Sequence, residues 1–325
     1  MHSISRRDFL RTAGFVSTAL LTDWVPAAEE KSVEKSNDQP AEPIIDIHQH
    51  TSYHGRTIDQ LLMHQRAMGV TQTILLPAGS PVKRPSTGDG KYNGLGGVRA
   101  GGNDTVLALA RQYPKEYLFG ANDVTDLPEA VAEISRYIDM GAIVIGEQKF
   151  TVECDSEAAQ SLYKLAGDRK VPILMHFQHG TYNLGYERLP AMLKKFPDTV
   201  FIGHAQTVWA NIDKNHTNQN DLYPKGKVTP GGLTDRYLAD FPNFFADMSA
   251  GSGLNSLLRD EDHTRGFLDR HQNKILYGSD CADPVGTGTA CQGAQTIAAL
   301  RKLSPSKAAE RKMLYENARK LFQLS

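Results

Sequence analysis

The residues best suited to chemistry in this 325-residue chain are histidines and aspartates that close short apolar runs. Ile44-Ile45-Asp46-Ile47-His48-Gln49-His50 is one such run, ending in His-x-His. On a β-strand, side chains alternate in direction, so His48 and His50 point to the same side. Two neutral imidazoles aimed into one cavity are the start of a divalent-metal site. The pattern then recurs. Val171-Pro172-Ile173-Leu174-Met175 leads into His176, Val200-Phe201-Ile202-Gly203 into His204, and Ile275-Leu276-Tyr277-Gly278-Ser279 into Asp280. One histidine after an apolar run is usually a core or capping residue. Four strand ends carrying His or Asp point to a common purpose.

Strands are expected at 44–47, 73–76, 118–120, 142–145, 172–175, 200–202, 244–246 and 275–277. Between them lie segments with apolar residues at helical spacing, such as Ile58-Leu61-Leu62, Val106-Leu107-Leu109-Ala110 and Val131-Ile134-Ile138. Strands alternating with helices imply parallel pairing through crossovers. About eight such units of roughly 30 residues fit an α/β fold of the closed (β/α)8 TIM-barrel type better than an open sheet. No Gly-x-Gly-x-x-Gly follows the first strand, so the open-sheet alternative lacks its usual mark. In a barrel, all four polar strand ends meet at the C-terminal mouth. Two long connections, from Pro77 to about Asn103 and from His204 to about Leu233, lie on that same face and read as lids or substrate walls.

As a set, these motifs resemble the amidohydrolase superfamily, and within it the amidohydrolase-related (amidohydrolase 2) branch of metal-dependent hydrolases. Asp46-x-His48-x-His50 resembles its strand-one motif, His176 and His204 its histidines on strands five and six, and Asp280 its strand-eight aspartate. Asn317-Ala318-Arg319-Lys320-Leu321-Phe322 resembles its closing helix. The likeness implies that His48, His50, His176 and Asp280 bind a divalent metal. It implies that His204 is a further ligand or polarises the substrate, and that Asp46 steadies an imidazole from behind. Ligands that leave an open position acidify a bound water to a pKa of about 7. Asp280 would also accept the proton of the attacking water, so Asp280 and His204 are the catalytic candidates. Zinc is the default ion for such ligands, with manganese or iron as alternatives, and one or two ions remain open.

Strand four is where one ion and two would differ. By period two, Ile145, Glu147 and Lys149 share a face. Glu147 is a ligand candidate, with a Glu147–Lys149 ion pair lining the cavity as the alternative. Weaker candidates for substrate binding are Lys149, His179, Trp209 and Arg99, the last as a carboxylate clamp. His54 and Tyr223 are weaker still. Asp247 either orients groups in the site or caps the next helix. Cys281 is expected to be buried packing.

The reaction implied is hydrolysis of a lactone, ester or amide in a small-molecule substrate. The first alternative is non-oxidative decarboxylation of an aromatic or unsaturated acid; the second is a catalytically silent binding protein. A formal net charge of −1 gives no reason to expect nucleic acid as a partner. Cys154, Cys281 and Cys291 are too few and scattered for a disulfide framework or a thiolate zinc site. Residues 1–27 resemble a twin-arginine signal peptide: Ser5-Arg6-Arg7-Asp8-Phe9-Leu10-Arg11, a short apolar run, then Val25-Pro26-Ala27. That run is too short to span a bilayer stably. The resemblance implies the twin-arginine export machinery as a partner and a periplasmic destination. Residues 28–42 read as a flexible linker and 43–325 as the barrel domain. Oligomeric state leaves no mark on the sequence.

Overall fold

The computed structural model describes residues 42–77 and 100–324. The expected leader at 1–27, all but the last residue of the expected linker, and Arg99 lie outside them. Eight strands occur among the described residues: β1 (Ile45–Gln49), β2 (Gln72–Leu75), β3 (Tyr117–Phe119), β4 (Ile145–Gln148), β5 (Ile173–His176), β6 (Phe201–His204), β7 (Phe244–Asp247) and β8 (Ile275–Leu276). Neighbours pair in parallel, as β1-β2-β3 and β4-β5-β6-β7-β8. Two seams join these runs into a ring. At one, Ala121 N–H donates to Val144 O and Gly146 N–H to Ala121 O, both at 2.9 Å. At the other, Ile47 N–H donates to Tyr277 O at 3.1 Å and Asp280 N–H to His48 O at 2.8 Å. The fold is the expected (β/α)8 barrel. The fourth strand begins three residues later than the apolar run suggests. Residues 142–144 are a lead-in, tied to β3 by Ile143 N–H donating to Phe119 O at 3.0 Å.

The helices are α1 (Ile58–Ala67), α2 (Asn103–Gln112), α3 (Ala130–Asp139), α4 (Glu157–Arg169), α5 (Leu189–Lys195), α6 (Gln206–Ala210), α7 (Leu233–Asp240), α8 (Ala250–Leu258), α9 (Glu261–His271), α10 (Gln292–Leu303), α11 (Lys307–Arg311) and α12 (Asn317–Leu321). Local sequence sets their starts. Thr57 and Gln60 form a capping box on α1, and Ser156 caps α4 through Ala159 N–H. No helix among the described residues is long and apolar enough to cross a membrane.

Strand alternation divides the core in two. Outward residues such as Leu75, Ile145, Ile173, Met175, Phe201 and Phe244 pack against the helices. Inward residues Ile45, Ile47, Ile74, Leu76, Val144, Leu174, Ile202 and Leu276 fill the barrel, with Ala318 and Phe322 completing the same cluster. The motif at 317–322 is therefore the floor of the barrel. Asn317 fixes it by donating from Nδ2 to Ile275 O at 2.8 Å and Gln272 O at 2.7 Å. Phe322→Ala should open a cavity there and lower unfolding stability by about 3 kcal/mol, read from the urea midpoint at unchanged slope. A change below about 1 kcal/mol would mean the floor does not depend on this ring.

Candidate metal centre

The mouth of the barrel gathers polar side chains by different routes. On β5 and β6 the route is plain alternation: Leu174 and Ile202 face inward, so His176 and His204 do as well. Asp280 lies four residues beyond β8, at φ 38°, held there by its N–H donating to His48 O at 2.8 Å. On β1 and β4 alternation alone gives the wrong side. Ile45 and Ile47 point into the barrel, which would send His48 and His50 out. The β1–β2 register shifts between Asp46 and Gln49, and both imidazoles turn inward. Likewise Ile145 packs outward while Glu147 faces the mouth, across a register shift at Gly146. The expectation that Ile145 and Glu147 share a face is corrected by that irregularity. Gly146 has φ 147°, and a Cβ there would come within 2.9 Å of Leu174 O.

The imidazoles converge on Glu147. Its Oε2 lies 3.7 Å from His48 Nε2 and 3.5 Å from His50 Nε2. Its Oε1 lies 2.6 Å from His176 Nδ1 and 3.7 Å from His204 Nε2. Asp280 faces it, with Oδ1 at 3.4 Å from His50 Nε2 and Oδ2 at 3.7 Å from His204 Nε2. Three overlapping groups have metal-binding spacing: His48/His50/Glu147, Glu147/His176/His204 and His48/His204/Asp280. His48, His50, His176 and Asp280 thus line one mouth, but His176 meets Glu147 rather than Asp280. Glu147 belongs to two groups, one with each pair of histidines.

The outer ring nitrogens are already committed. His50 Nδ1 donates to Leu76 O at 2.9 Å, and His48 Nδ1 contacts Asp247 Oδ2 at 2.7 Å. His204 Nδ1 contacts Ser249 Oγ at 2.9 Å and Asp247 Oδ2 at 3.2 Å. With Nδ1 protonated, each Nε2 presents a lone pair to the mouth. His48 Nε2 and His50 Nε2 face each other at 3.2 Å. That approach is repulsive unless a proton or cation stands between, and it matches two nitrogens at about 2.0–2.1 Å from one ion. His204 Nε2 and Asp280 Oδ1 are buried without a hydrogen-bond partner. These residues fit a divalent ion.

Charge balance agrees. Burial opposes ionisation of Glu147, but the Lys149 ammonium and the hydrogen bond from His176 Nδ1 outweigh it and hold the carboxyl well below the usual range. Burial likewise opposes Asp280, outweighed by His48 and His50. For His48, burial is overcome by Asp280 and Asp247, which raise the imidazole well above its usual range. Burial, reinforced by Lys149, pushes His176 down to about 4, so this ring stays neutral.

The family profile for amidohydrolases matches residues 45–324. The chain belongs to this family. It is a metal-dependent enzyme on a TIM barrel. No curated protein matches the sequence. Solved structures that resemble this amidohydrolase include a 2,6-dihydroxybenzoate decarboxylase from Rhizobium, at 15% identity and TM-score 0.56 over 87% of this chain and 99% of that one. Another is a probable 2-pyrone-4,6-dicarboxylic acid hydrolase from Acinetobacter baumannii, at 12% identity and TM-score 0.55 over 86% and 99%. A third is a dihydroxybenzoic acid decarboxylase from Polaromonas sp. JS666 with bound manganese, at 15% identity and TM-score 0.53 over 87% and 97%. At these identities the likeness is one of fold.

Other residues of this amidohydrolase fall in varied places. Lys149 Nζ sits 5.6 Å from the Tyr182 ring centroid, with no direct ion pair to Glu147. Trp209 does not reach the mouth. It is 2% exposed and donates from Nε1 to Asp247 O at 3.0 Å, so it braces β7 from behind. His179 is exposed and lines a neighbouring cavity of about 540 Å³. Asp46 meets no imidazole. Its carboxylate accepts from His48 N–H, Ser279 N–H, Ser279 Oγ and Gln65 Nε2, fastening β1 to β8 and α1. The supporting carboxylate is Asp247 instead. Gly278 makes room for it: a Cβ there would meet Asp247 Oδ1 at 2.5 Å and His48 Cβ at 2.8 Å. Sequence reasoning missed Ser249 and Tyr53, whose ring lies 5.0 Å from His50. Neither carries a periodic signal.

Because Asp247 orients both His48 and His204, Asp247→Asn should weaken metal affinity about 10–100-fold with the fold intact. Competition with a chromophoric chelator measures this, and unchanged affinity would remove Asp247 from the site.

Proposed function

We propose that this enzyme hydrolyses an ester, lactone or amide bond in a small, anionic substrate. The carrying observation is Glu147, whose two oxygens face two pairs of imidazoles and so offer places for one or two ions, zinc being the default. When bound, the metal supplies a Lewis acid for the carbonyl and acidifies water to near neutrality. The chain's own groups do the rest. Asp280, held ionised, has an unpartnered Oδ1 to receive the proton of the attacking water and pass it to the leaving atom. His204, with Nδ1 taken by Ser249 and Asp247, offers its Nε2 lone pair as a further ligand for the metal. Burial, with Asp280 and Glu147 nearby, keeps the Tyr53 phenol protonated, so it serves as a donor. Lys149 stays cationic, because Glu147 and Asp280 outweigh its burial, and it takes the substrate's negative group.

A second reading is decarboxylation, in which Lys149 would hold the departing carboxylate and Asp280 would protonate carbon; the folds of two decarboxylases favour keeping it. Turnover in ¹⁸O-labelled water separates the two. Hydrolysis places one solvent oxygen in the product, whereas carbon dioxide released without solvent oxygen overturns it. With the substrate identified, Asp280→Asn should lower kcat by about 10²–10⁴-fold. Lys149→Met should raise KM roughly 10–100-fold while kcat changes little. A KM unmoved by the loss of Lys149 would reject its role.

Our reading of the leader places the enzyme in the periplasm after twin-arginine export. Arg6→Lys together with Arg7→Lys should trap the precursor in the cytoplasm, checked by fractionation and immunoblot. Normal export of that variant would refute the assignment.

A further inference from the structure

Behind β8 lies a second cluster of metal-binding atoms that the barrel mouth does not use. His64, on α1, and Met68, the residue that caps its C-terminus, stand one turn apart. Cys281 follows Asp280, and Cys291 closes the same loop at the start of α10. Cys291 Sγ lies 3.4 Å from His64 Nε2, 3.6 Å from Met68 Sδ and 3.8 Å from Cys281 Sγ. All four side chains are buried. His64 Nδ1 has no hydrogen-bond partner among the described residues, so the ring spends its polar contact on sulfur. The packing around the thioether is close: a Cβ on Gly293 would meet Met68 Sδ at 2.8 Å. Cys154 shows what an ordinary buried thiol does here, since its Sγ simply donates to Gly185 O at 3.0 Å.

We propose that His64 Nε2, Cys281 Sγ and Cys291 Sγ, with Met68 Sδ as fourth donor, bind a soft tetrahedral ion, zinc or copper(I). The three ligand atoms of the His and the two Cys lie within 4.8 Å of one another. Bonds of about 2.3 Å to sulfur and 2.0 Å to nitrogen space two sulfurs about 3.8 Å apart, and sulfur from nitrogen about 3.5 Å. The edges found match. Thiolate and thioether select these ions over the harder ones suited to carboxylates, so the two sites in the chain differ in the metals they prefer. Each thiol releases its proton on binding. The ion would clamp the loop that carries Asp280 against α1. The spacing of the cysteines gave no sign of this, because half the ligands come from a helix and its cap more than 200 residues earlier.

The test uses the full chain, stripped of metal under reducing conditions and reloaded with cobalt(II) or, anaerobically, copper(I). Cobalt, added until the barrel mouth is filled as well, should give a sulfur-to-metal charge-transfer absorption with the intensity of one thiolate-bound ion per chain, which indicates a zinc-type site. Retention of one copper(I) against bathocuproine, without a cobalt band, indicates a copper site. Either signal should vanish in Cys291→Ser and persist in His176→Ala, which alters only the barrel mouth. The proposal is overturned if folded wild-type protein shows neither signal. It is equally overturned if alkylation and mass spectrometry of unreduced protein find Cys281 and Cys291 joined as a disulfide. Both decisive readings use wild-type protein, so misfolding of a variant does not blur them.

Discussion

The structure is organised around lone pairs that point at one another. At the barrel mouth, the outer nitrogens of His48, His50 and His204 are held by Asp247, the Leu76 carbonyl and Ser249. Their inner nitrogens therefore converge with Glu147 and Asp280 on a space that only positive charge can fill. Such a set does not hold itself together. The seam between β1 and β8, the wedge of Asp46 behind it, and the absence of a side chain at Gly278 all serve to keep these groups close.

The same constraint explains the polar belt behind Glu147. A carboxylate brought in on an irregular strand needs its backbone held by other means. Asn122 donates from Nδ2 to Glu147 O at 2.6 Å. Gln148 donates to Asn122, and Thr125 donates to Gln148 Oε1 at 2.7 Å. Asn183 Nδ2 bridges Gln148 O and His176 O at 2.7 and 2.8 Å, locking β4 to β5 beside the mouth. Arg56 does similar service across the first and last loops, reaching Gln49 Oε1 at 2.6 Å and Cys281 O at 2.8 Å.

Legibility in the sequence followed the regularity of the strands. His176 and His204 end strands that alternate without interruption, so position alone told their direction. Asp280 lies in the loop past β8, and its place came from the run it follows, not from alternation. His48 and His50 were found because they share a side, although the side itself depends on a register shift that no residue pattern announces. Glu147 was ambiguous for the same reason: the irregular step at Gly146 breaks the count by two. Trp209 and Asp46 show the opposite limit. Each is a residue type suited to a site, but burial against a neighbouring strand decides its use, and burial is a property of the assembled ring. Asp247 could be placed but not assigned, because its partners come from β1 and β6. The cysteines read as packing because the His64 and Met68 that accompany them come from a distant part of the chain.

The hydrogen bond from Asp280 N–H to His48 O joins residues that leave the ribosome far apart in time. The two are separated by about 230 residues, which at common synthesis rates is roughly 10–50 s. Through that interval β1 is an open strand edge, and its imidazoles have no opposite wall. The barrel floor is later still, since it waits for Phe322. The ligand group that includes Asp280 is therefore the last of the three at the mouth to be completed.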